Sequence, residues 1–243
     1  LLSLFPSIFK AHCTILTDEN IFLRTLDVEL MNDRFALFIY HSKEVNKYIT
    51  LTLPGMNWCV TGFSEYLAIG EVFNDYCTVS TNKDGSPFYF NFKEILMRCS
   101  NIDESKKFLD TLRWHDSIDI SIRSMKTKDV LMIEKRGRYS KFYNNNNFNK
   151  YISLYSKYTL ESNNKFSFYY NLDLIYGIVN QYDKLSVNDA LYSIIIGLET
   201  GSNHSIIIDF NTKKLYISTA NDKINGYQRP MVEFEINNIL SIY

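Results

Sequence analysis

Short β-rich runs, each bounded by turn residues, constrain the fold of this 243-residue chain more than any other feature of its sequence. β-Branched and aromatic residues cluster in these runs, and Asn, Asp, Gly or Pro separates one run from the next. The predicted strands cover 13–17, 20–26, 33–40, 48–53, 57–63, 67–73, 117–124, 129–136 and 139–144. A hairpin over 204–219, turning at 211–212, and a last strand over 231–237 follow. Successive runs of this kind indicate antiparallel pairing.

Helical blocks separate these groups of strands. The first block covers 86–99 and 101–114, where Asn101 is a good N-cap and Glu104 completes a capping box. One face of its first helix carries Phe88, Phe92, Ile95 and Cys99. The second block covers roughly 165–196, with Ser186 and Asp189 at the equivalent capping positions. Because helices and strands are segregated, we predict an α+β fold in one domain, with two antiparallel sheets covered by helices.

Composition and charge exclude several classes of function. The net charge is −1, with both signs interspersed, so neither nucleic acid nor an anionic membrane surface is an expected partner. No apolar run approaches the ~18 residues that a membrane span requires. The histidines are scattered without ligand spacing, and the cysteines are too far apart for a CxxC zinc knuckle, so we expect no metal or other cofactor.

Cysteine usage and the start of the chain indicate a compartment. Cys13, Cys59, Cys77 and Cys99 would permit two disulfides, but a chain of this length does not need them. We therefore expect free thiols in a reducing, cytoplasmic environment. The opening "LLSLFPSIFK" is apolar but lacks a basic region and a small-residue cleavage site. We expect 1–12 to be the remnant of a longer pro-segment rather than a signal peptide.

Cys13 opens the first predicted hairpin and permits two interpretations. A buried cysteine usually acts as a small hydrophobic residue. If Cys13 became an N-terminus, however, its own α-amine, with an ordinary pKa near ~7.7 to 8.0, could deprotonate its thiol. Arg24 and Asp27 follow three positions apart, and strand alternation places them on opposite faces unless the strand ends or bends between them. A bend at Thr25-Leu26 would let both charges reach Cys13; otherwise they are surface residues of the hairpin.

The sequence "CTILTDENIFLRTLDVE" resembles the nucleophile hairpin of cysteine N-terminal nucleophile (Ntn) hydrolases of the isopenicillin N acyltransferase, choloylglycine hydrolase and penicillin V acylase type. Further segments resemble that family in the same order. They are "LPGMNWCVTGFSEYLAIG", "GSPFYFNFKEILMRCSNIDESKKFL", "FYNNNNF" and "HSIIIDFNTKKLYISTAND". The resemblance implies a four-layer αββα sandwich over 13–243 and autoproteolysis of the His12–Cys13 bond.

The resemblance also implies roles for individual residues. The Cys13 thiol would attack a linear, non-peptide amide and form a thioester, with Asp27 as partner of the freed amine and Arg24 as cationic neighbour. Asn146 would donate to the oxyanion, and Asn74 is the candidate for a second donor, although both also fit ordinary loop positions.

Several positions depart from the family pattern. Thr25 stands where the family has Asn, and His12 replaces a small residue before the nucleophile. Lys165 is the one counterpart of a later substrate-binding arginine, and it cannot bind in the same bidentate way. His204, near the last hairpin, is a second substrate-binding candidate, with turn chemistry as the alternative.

Two functions remain open at this point. One is an autoprocessed zymogen of an amidohydrolase or acyltransferase whose partner is a small amide or acyl substrate. The other is a catalytically silent protein of the same fold that binds a small acyl ligand or a protein. A papain-like enzyme lacks the required context around any cysteine, and a homo-oligomer is left open by the sequence.

Overall fold

The computed structural model describes residues 13–17, 20–27, 35–57, 59–73, 84–115, 117–136, 139–144, 181–182 and 184–241. The strands within them are β1 (Thr14–Thr17), β2 (Ile21–Leu26), β3 (Ala36–Tyr40), β4 (Tyr48–Thr52), β5 (Thr61–Ser64), β6 (Leu67–Phe73), β7 (Ser117–Ser124), β8 (Val130–Arg136), β9 (Tyr139–Asn144), β10 (His204–Asp209), β11 (Lys214–Thr219) and β12 (Val232–Glu235). The helices are α1 (Phe88–Arg98), α2 (Ile102–Thr111), the π-type helix α3 (Asp189–Ile196) and α4 (Ile236–Ser241), with a 3₁₀ turn at Gly226–Gln228.

These strands form two antiparallel sheets. The five-stranded sheet has the order β1-β2-β10-β11-β12, and the seven-stranded sheet runs from β3 to β9 in chain order. In the five-stranded sheet the first hairpin of the described chain pairs with the last one, so that Leu26 lies opposite His204 and Arg24 lies opposite Ile206. Strands from the first and the last third of the chain therefore pair at β2, the strand that carries Arg24.

Three apolar clusters fill the spaces between four layers. Helices α1 and α2 cover the outer face of the seven-stranded sheet, where Phe92, Ile95 and Trp114 are buried. Residues from both sheets, including Ile15 of β1 and Val72 of β6, form a second cluster between them. Helix α3 covers the outer face of the five-stranded sheet. The described residues thus form the predicted αββα sandwich, and none of their helices has the length and apolar character to cross a bilayer.

The predicted capping residues act as expected. The Asn101 side chain accepts a hydrogen bond from the backbone N–H of Glu104, while the Glu104 carboxylate accepts one from the backbone of Ser100. At the second block, Ser186 and Asp189 exchange side-chain-to-backbone hydrogen bonds in both directions. Helix α2 therefore begins directly after Asn101, and the helical residues that lead into α3 begin directly after Ser186, whereas 165–180 of the second block lie outside the described residues.

Local differences from the prediction have packing reasons. The predicted strand over 57–63 begins at Thr61, because the Cys59 backbone bonds to Tyr89 of α1 instead of to a neighbouring strand. The last strand ends at Glu235, and α4 follows because Ile236 and Ile239 pack into the core between the sheets. Helix α3 has π-type bonds, such as Gly197 N–H to Tyr192 C=O at 3.0 Å, rather than the expected α-type pattern.

Candidate active site

Cys13 lies directly before β1, which is an edge strand of the described five-stranded sheet. Its side chain is buried in the cluster between the sheets. The positive charge of Arg24 and the backbone N–H of Asp27 both act on the Cys13 sulfur and lower the pKa of its thiol. The hairpin therefore brings together the cysteine, the arginine and the aspartate that the sequence singled out.

The electrostatic environment keeps the Cys13 thiol protonated. The pKa of this thiol is raised to about 12, and burial is the largest cause. The charge of Arg24 and the Asp27 backbone N–H act to lower this pKa, whereas the carboxylates of Glu71 and Asp27 act to raise it. Because the thiolate is the nucleophilic form, Cys13 of the continuous chain needs a base before it can attack a carbonyl at neutral pH.

Arg24 forms a buried ion pair with Glu71, which lies on β6 of the opposite sheet. The distance from Arg24 Nη2 to Glu71 Oε1 is 2.7 Å, and both side chains are fully buried. Arg24 Nη1 also donates to the backbone carbonyl of Thr25. Burial lowers the pKa of Arg24, but the Cys13 sulfur and the Glu71 carboxylate raise it by more. A permanent positive charge is thus held beside Cys13.

Gly70 provides the space that Arg24 occupies. The pairing of β5 with β6 ends where Thr61 lies opposite Gly70, and Glu71 is the next residue of β6. A Cβ atom on Gly70 would lie 3.1 Å from Cδ of Arg24 and 3.3 Å from Cδ1 of Ile15. The missing side chain therefore lets the arginine lie against β6 and reach the carboxylate beside it.

Glu71 was not among the residues predicted for the site. The available signal was a single acidic residue inside the apolar run "LAIGEVF", which the structure shows as a strand. A glutamate at such a position is almost never fully buried without a partner. The sequence could therefore have indicated a buried ion pair, although it could not have identified Arg24 as the partner.

The Asp27 carboxylate binds a loop on the other side of the strand from Arg24. It accepts hydrogen bonds from the Thr200 hydroxyl at 2.9 Å, from the Gly201 backbone at 2.9 Å and from the Ser202 backbone at 2.6 Å. Of the two alternatives for β2, the structure shows an end rather than a bend: pairing with β10 is regular through Leu26, and the strand ends directly before Asp27. The backbone N–H of Asp27 lowers the pKa of the Cys13 thiol, while its carboxylate binds the loop.

His204 lies at the start of β10, fully buried between the two sheets. Its Nε2 is 3.3 Å from the Thr61 hydroxyl of β5, and its ring packs edge-on against Phe35 at 4.7 Å between ring centroids. Burial, together with the nearby charge of Arg24, holds its pKa well below the ordinary value of 6.5. His204 is therefore a neutral contact between the sheets, and its role in binding substrate stays a prediction.

Four predicted residues lie outside the described part of the chain: His12, Asn74, Lys165 and Asn146. Their roles in cleavage, oxyanion stabilisation and substrate binding remain predictions. Among the described residues, no group of three or more His, Cys, Asp or Glu side chains is arranged to hold a metal ion. The three described cysteines, Cys13, Cys59 and Cys99, are free thiols.

Comparison by sequence finds one distant relative and no family model. The chain is 21% identical to protein dcd1A of Dictyostelium discoideum, in an alignment that covers 99% of this chain and 63% of that protein. It thus spans less than two thirds of the length of this curated relative. No protein-family model matches the chain.

Comparison by structure finds extensive similarity at low sequence identity. A mutant of conjugated bile acid hydrolase from Clostridium perfringens superposes with a TM-score of 0.61 at 12% identity, covering 93% of each chain. The Caenorhabditis elegans N-acylethanolamine-hydrolyzing acid amidase ortholog gives 0.59 at 12% identity, covering 91% of this chain and 100% of that chain. Penicillin V acylase from Agrobacterium tumefaciens gives 0.58 at 12% identity, covering 95% and 88%. The protein therefore has the αββα fold of the Ntn hydrolases, as its sequence resemblance predicted.

Proposed function

We propose that this protein is an autoprocessed cysteine amidohydrolase or acyltransferase that acts on a linear, non-peptide amide through a thioester on Cys13. The observation that carries the proposal is the buried Cys13 thiol at the start of β1, with the fully buried cation of Arg24 and the end of β2 at Asp27 from the same hairpin. The charge of Arg24 and the backbone N–H of Asp27 both lower the pKa of this thiol, and a cysteine that served only for packing would need neither of them.

Activation begins with cleavage of the bond before Cys13. The Cys13 sulfur adds to the carbonyl carbon of His12, the C–N bond breaks, and the nitrogen takes up the thiol proton to become the free amine. Water then hydrolyses the resulting thioester and releases the upstream segment with a new carboxylate. The product carries on residue 13 both a thiol and a base whose ordinary pKa is near ~8.

Turnover uses the same two groups. The amine accepts the thiol proton while sulfur bonds to the carbonyl carbon of the amide, and it passes the proton to the leaving nitrogen as the C–N bond breaks. Water or a second amine then adds to the thioester, and the C–S bond breaks to restore the thiol. The two outcomes, hydrolysis and acyl transfer, use every described site residue in the same way. Arg24 supplies positive charge beside the sulfur, and Asp27 neutralises the ammonium form of the base.

A trapping experiment tests this proposal directly. The purified protein is mixed with a panel of N-acyl-aminomethylcoumarins of increasing acyl length, quenched in acid and analysed by peptide mass spectrometry. We expect coumarin release and an acyl adduct on the Cys13 peptide that hydroxylamine removes. Cys99→Ala is the matched control, because Cys99 is a buried thiol in the helix layer, remote from this hairpin. Adducts that persist in Cys13→Ala would contradict the proposal.

A catalytically silent protein of this fold, binding an acyl ligand or a protein partner, is the second candidate. The observation that favours it is the burial of Cys13, which is the largest cause of a thiol pKa raised to about 12. Competitive alkylation with iodoacetamide separates the two candidates. An active nucleophile should react faster than Cys59 and Cys99, whose thiols are also buried and have raised pKa values. Equal or slower reaction of Cys13 would favour the silent protein.

A further inference from the structure

A chain of buried hydroxyl groups connects Asp27 to the first strand. The Thr200 hydroxyl lies 2.9 Å from Asp27 Oδ2, 2.7 Å from the Thr25 hydroxyl and 3.5 Å from the Thr14 hydroxyl. All three threonines are buried. Thr14 directly follows Cys13 and lies opposite Thr25 in the β1–β2 pairing. Thr200 is therefore in contact with both strands that surround the nucleophile.

The directions of these hydrogen bonds follow from the proton count. A hydroxyl has one proton and two acceptor lone pairs. Thr200 donates its proton to the Asp27 carboxylate, so the short contact with Thr25 requires Thr25 to be the donor. The hydrogen bonds therefore run in one direction: Thr25 donates to Thr200, and Thr200 donates to the Asp27 carboxylate.

The donors to Asp27 leave room for another one. Gly201 N–H is shared between both carboxylate oxygens at 2.9 Å, Ser202 N–H binds Oδ1, and the Thr200 hydroxyl binds Oδ2. A carboxylate offers about four lone-pair sites, and three donor protons bind to it here, one of them shared between the two oxygens. The carboxylate can therefore accept one further hydrogen bond from a neighbouring ammonium group.

The loop that supplies these donors is held from several sides. Gly201 has a φ of +91°, and a Cβ atom there would lie 2.0 Å from the Ser205 hydroxyl, so glycine is required. The Thr200 N–H donates to the Ile195 carbonyl of helix α3 at 3.0 Å, directly after Glu199 in the left-handed region (φ +51°), as in a Schellman cap. The Ser202 carbonyl accepts the Gly226 N–H at 2.8 Å. A backbone fixed in this way holds its donors in one position.

We infer that Thr200 is a positioning residue that aligns the Asp27 carboxylate for the Cys13 amine released by cleavage. The inference rests on the proposed function, because that amine exists only in a processed chain. It assigns a mechanistic purpose to the loop over 199–202, which the sequence did not single out. A purely structural connection between this loop and β2 would stabilise the fold without affecting the titration of the amine.

The test is the pH dependence of acylation by p-nitrophenyl acetate, measured as p-nitrophenol release by cleaved protein above the Cys13→Ala background. The rate should fall on the acid side of its pH profile, here called the acid limb, because protonation of the amine removes the base. An adjacent anion favours the ammonium form of the amine, so correct placement of Asp27 moves the acid limb to higher pH. Thr200→Val should move this limb to lower pH and reduce kcat/KM roughly 10- to 100-fold, as expected when a catalytic geometry loosens by about 1 Å. Thr200→Ser should retain the wild-type limb.

Controls separate positioning from stability. Thr17 lies at the other end of β1, is also buried, and donates to Ile21 C=O at 3.1 Å. Thr17→Val therefore removes one buried hydroxyl bond from the same hairpin, and it should lower the melting temperature without moving the acid limb. In an Asp27→Asn background, Thr200→Val should have little further effect on the limb, because the group that it positions is already neutral. If Thr200→Val does not fold, Thr200→Ala removes the hydroxyl without filling its space, and the same shift is expected.

Two results overturn the inference in distinguishable ways. An unchanged acid limb in folded Thr200→Val or Thr200→Ala, with active wild type, would show that Thr200 has only a structural role. Wild-type protein no faster than Cys13→Ala would instead refute the proposed function, and this inference with it.

Discussion

Arg24 of one sheet and Glu71 of the other form an ion pair of 2.7 Å with no exposed surface on either side chain. Glu71 therefore determines where the positive charge beside Cys13 is held. Two ions taken out of water lose their hydration, and only close contact and further hydrogen bonds compensate for this. An ion pair of this kind is weak evidence for stability, but it fixes a charge in one place.

Removing the Glu71 charge should destabilise the protein strongly. Glu71→Gln leaves the Arg24 guanidinium buried without its counter-ion, and we expect the free energy of unfolding to fall by roughly 3–5 kcal/mol. The matched control is Glu94→Gln, which breaks the partly exposed Arg98–Glu94 pair of helix α1. Such an exposed pair contributes about 0.3–0.5 kcal/mol. Urea unfolding of both variants is the measurement, and similar losses in the two would contradict the prediction.

Filling the space at Gly70 should displace Arg24. In Gly70→Ala the new methyl group would lie 3.1 Å from Cδ of Arg24, whose guanidinium is bonded at both ends to Thr25 and Glu71. We expect overpacking of about 1–3 kcal/mol. We also expect slower alkylation of Cys13 in the cleaved protein, because the positive charge moves away from the sulfur. Urea unfolding and iodoacetamide kinetics measure the two effects, and a variant that loses stability while keeping the wild-type alkylation rate would show that Arg24 has not moved.

His204 should make the fold sensitive to acid. Burial and the charge of Arg24 lower its pKa well below 6.5, so the unfolded chain binds a proton below this pH that the folded chain does not. The stability that depends on neutral His204 is thus present above about pH 6.5 and decreases as the pH falls, by up to about 1.4 kcal/mol per pH unit. His204→Gln removes this titration. The difference in unfolding free energy between wild type and variant should shrink from pH 7.5 to pH 5, and a constant difference would contradict the assigned cause.

Local signals predicted the framework of the fold. Alternating apolar residues and turn residues identified the β10–β11 hairpin, and the pair Ser186 and Asp189 identified the start of the helical residues that lead into α3. These signals lie within a few residues of what they determine. The π-type end of α3 was not predictable from them, because it depends on how the chain joins the loop at Thr200.

The candidate site was predictable only where its residues are close in sequence. Cys13, Arg24 and Asp27 belong to one hairpin, so they were expected close together, although strand alternation left the face of Asp27 open and the family resemblance supplied their roles. Thr200 is 173 positions from Asp27, and its contact arises from the pairing of the first hairpin with the last. Glu71 reaches Arg24 across the space between two sheets. No periodicity encodes contacts of that kind.

The state of the His12–Cys13 bond tests the central claim most directly. Intact mass under denaturing conditions, followed by N-terminal sequencing, is measured on freshly purified wild type, Cys13→Ala and Cys99→Ala. A chain that starts at Cys13 in wild type and in Cys99→Ala, but not in Cys13→Ala, is the predicted result. An uncut wild-type chain, or a Cys13→Ala chain that is still cleaved before residue 13, would contradict an Ntn nucleophile at Cys13.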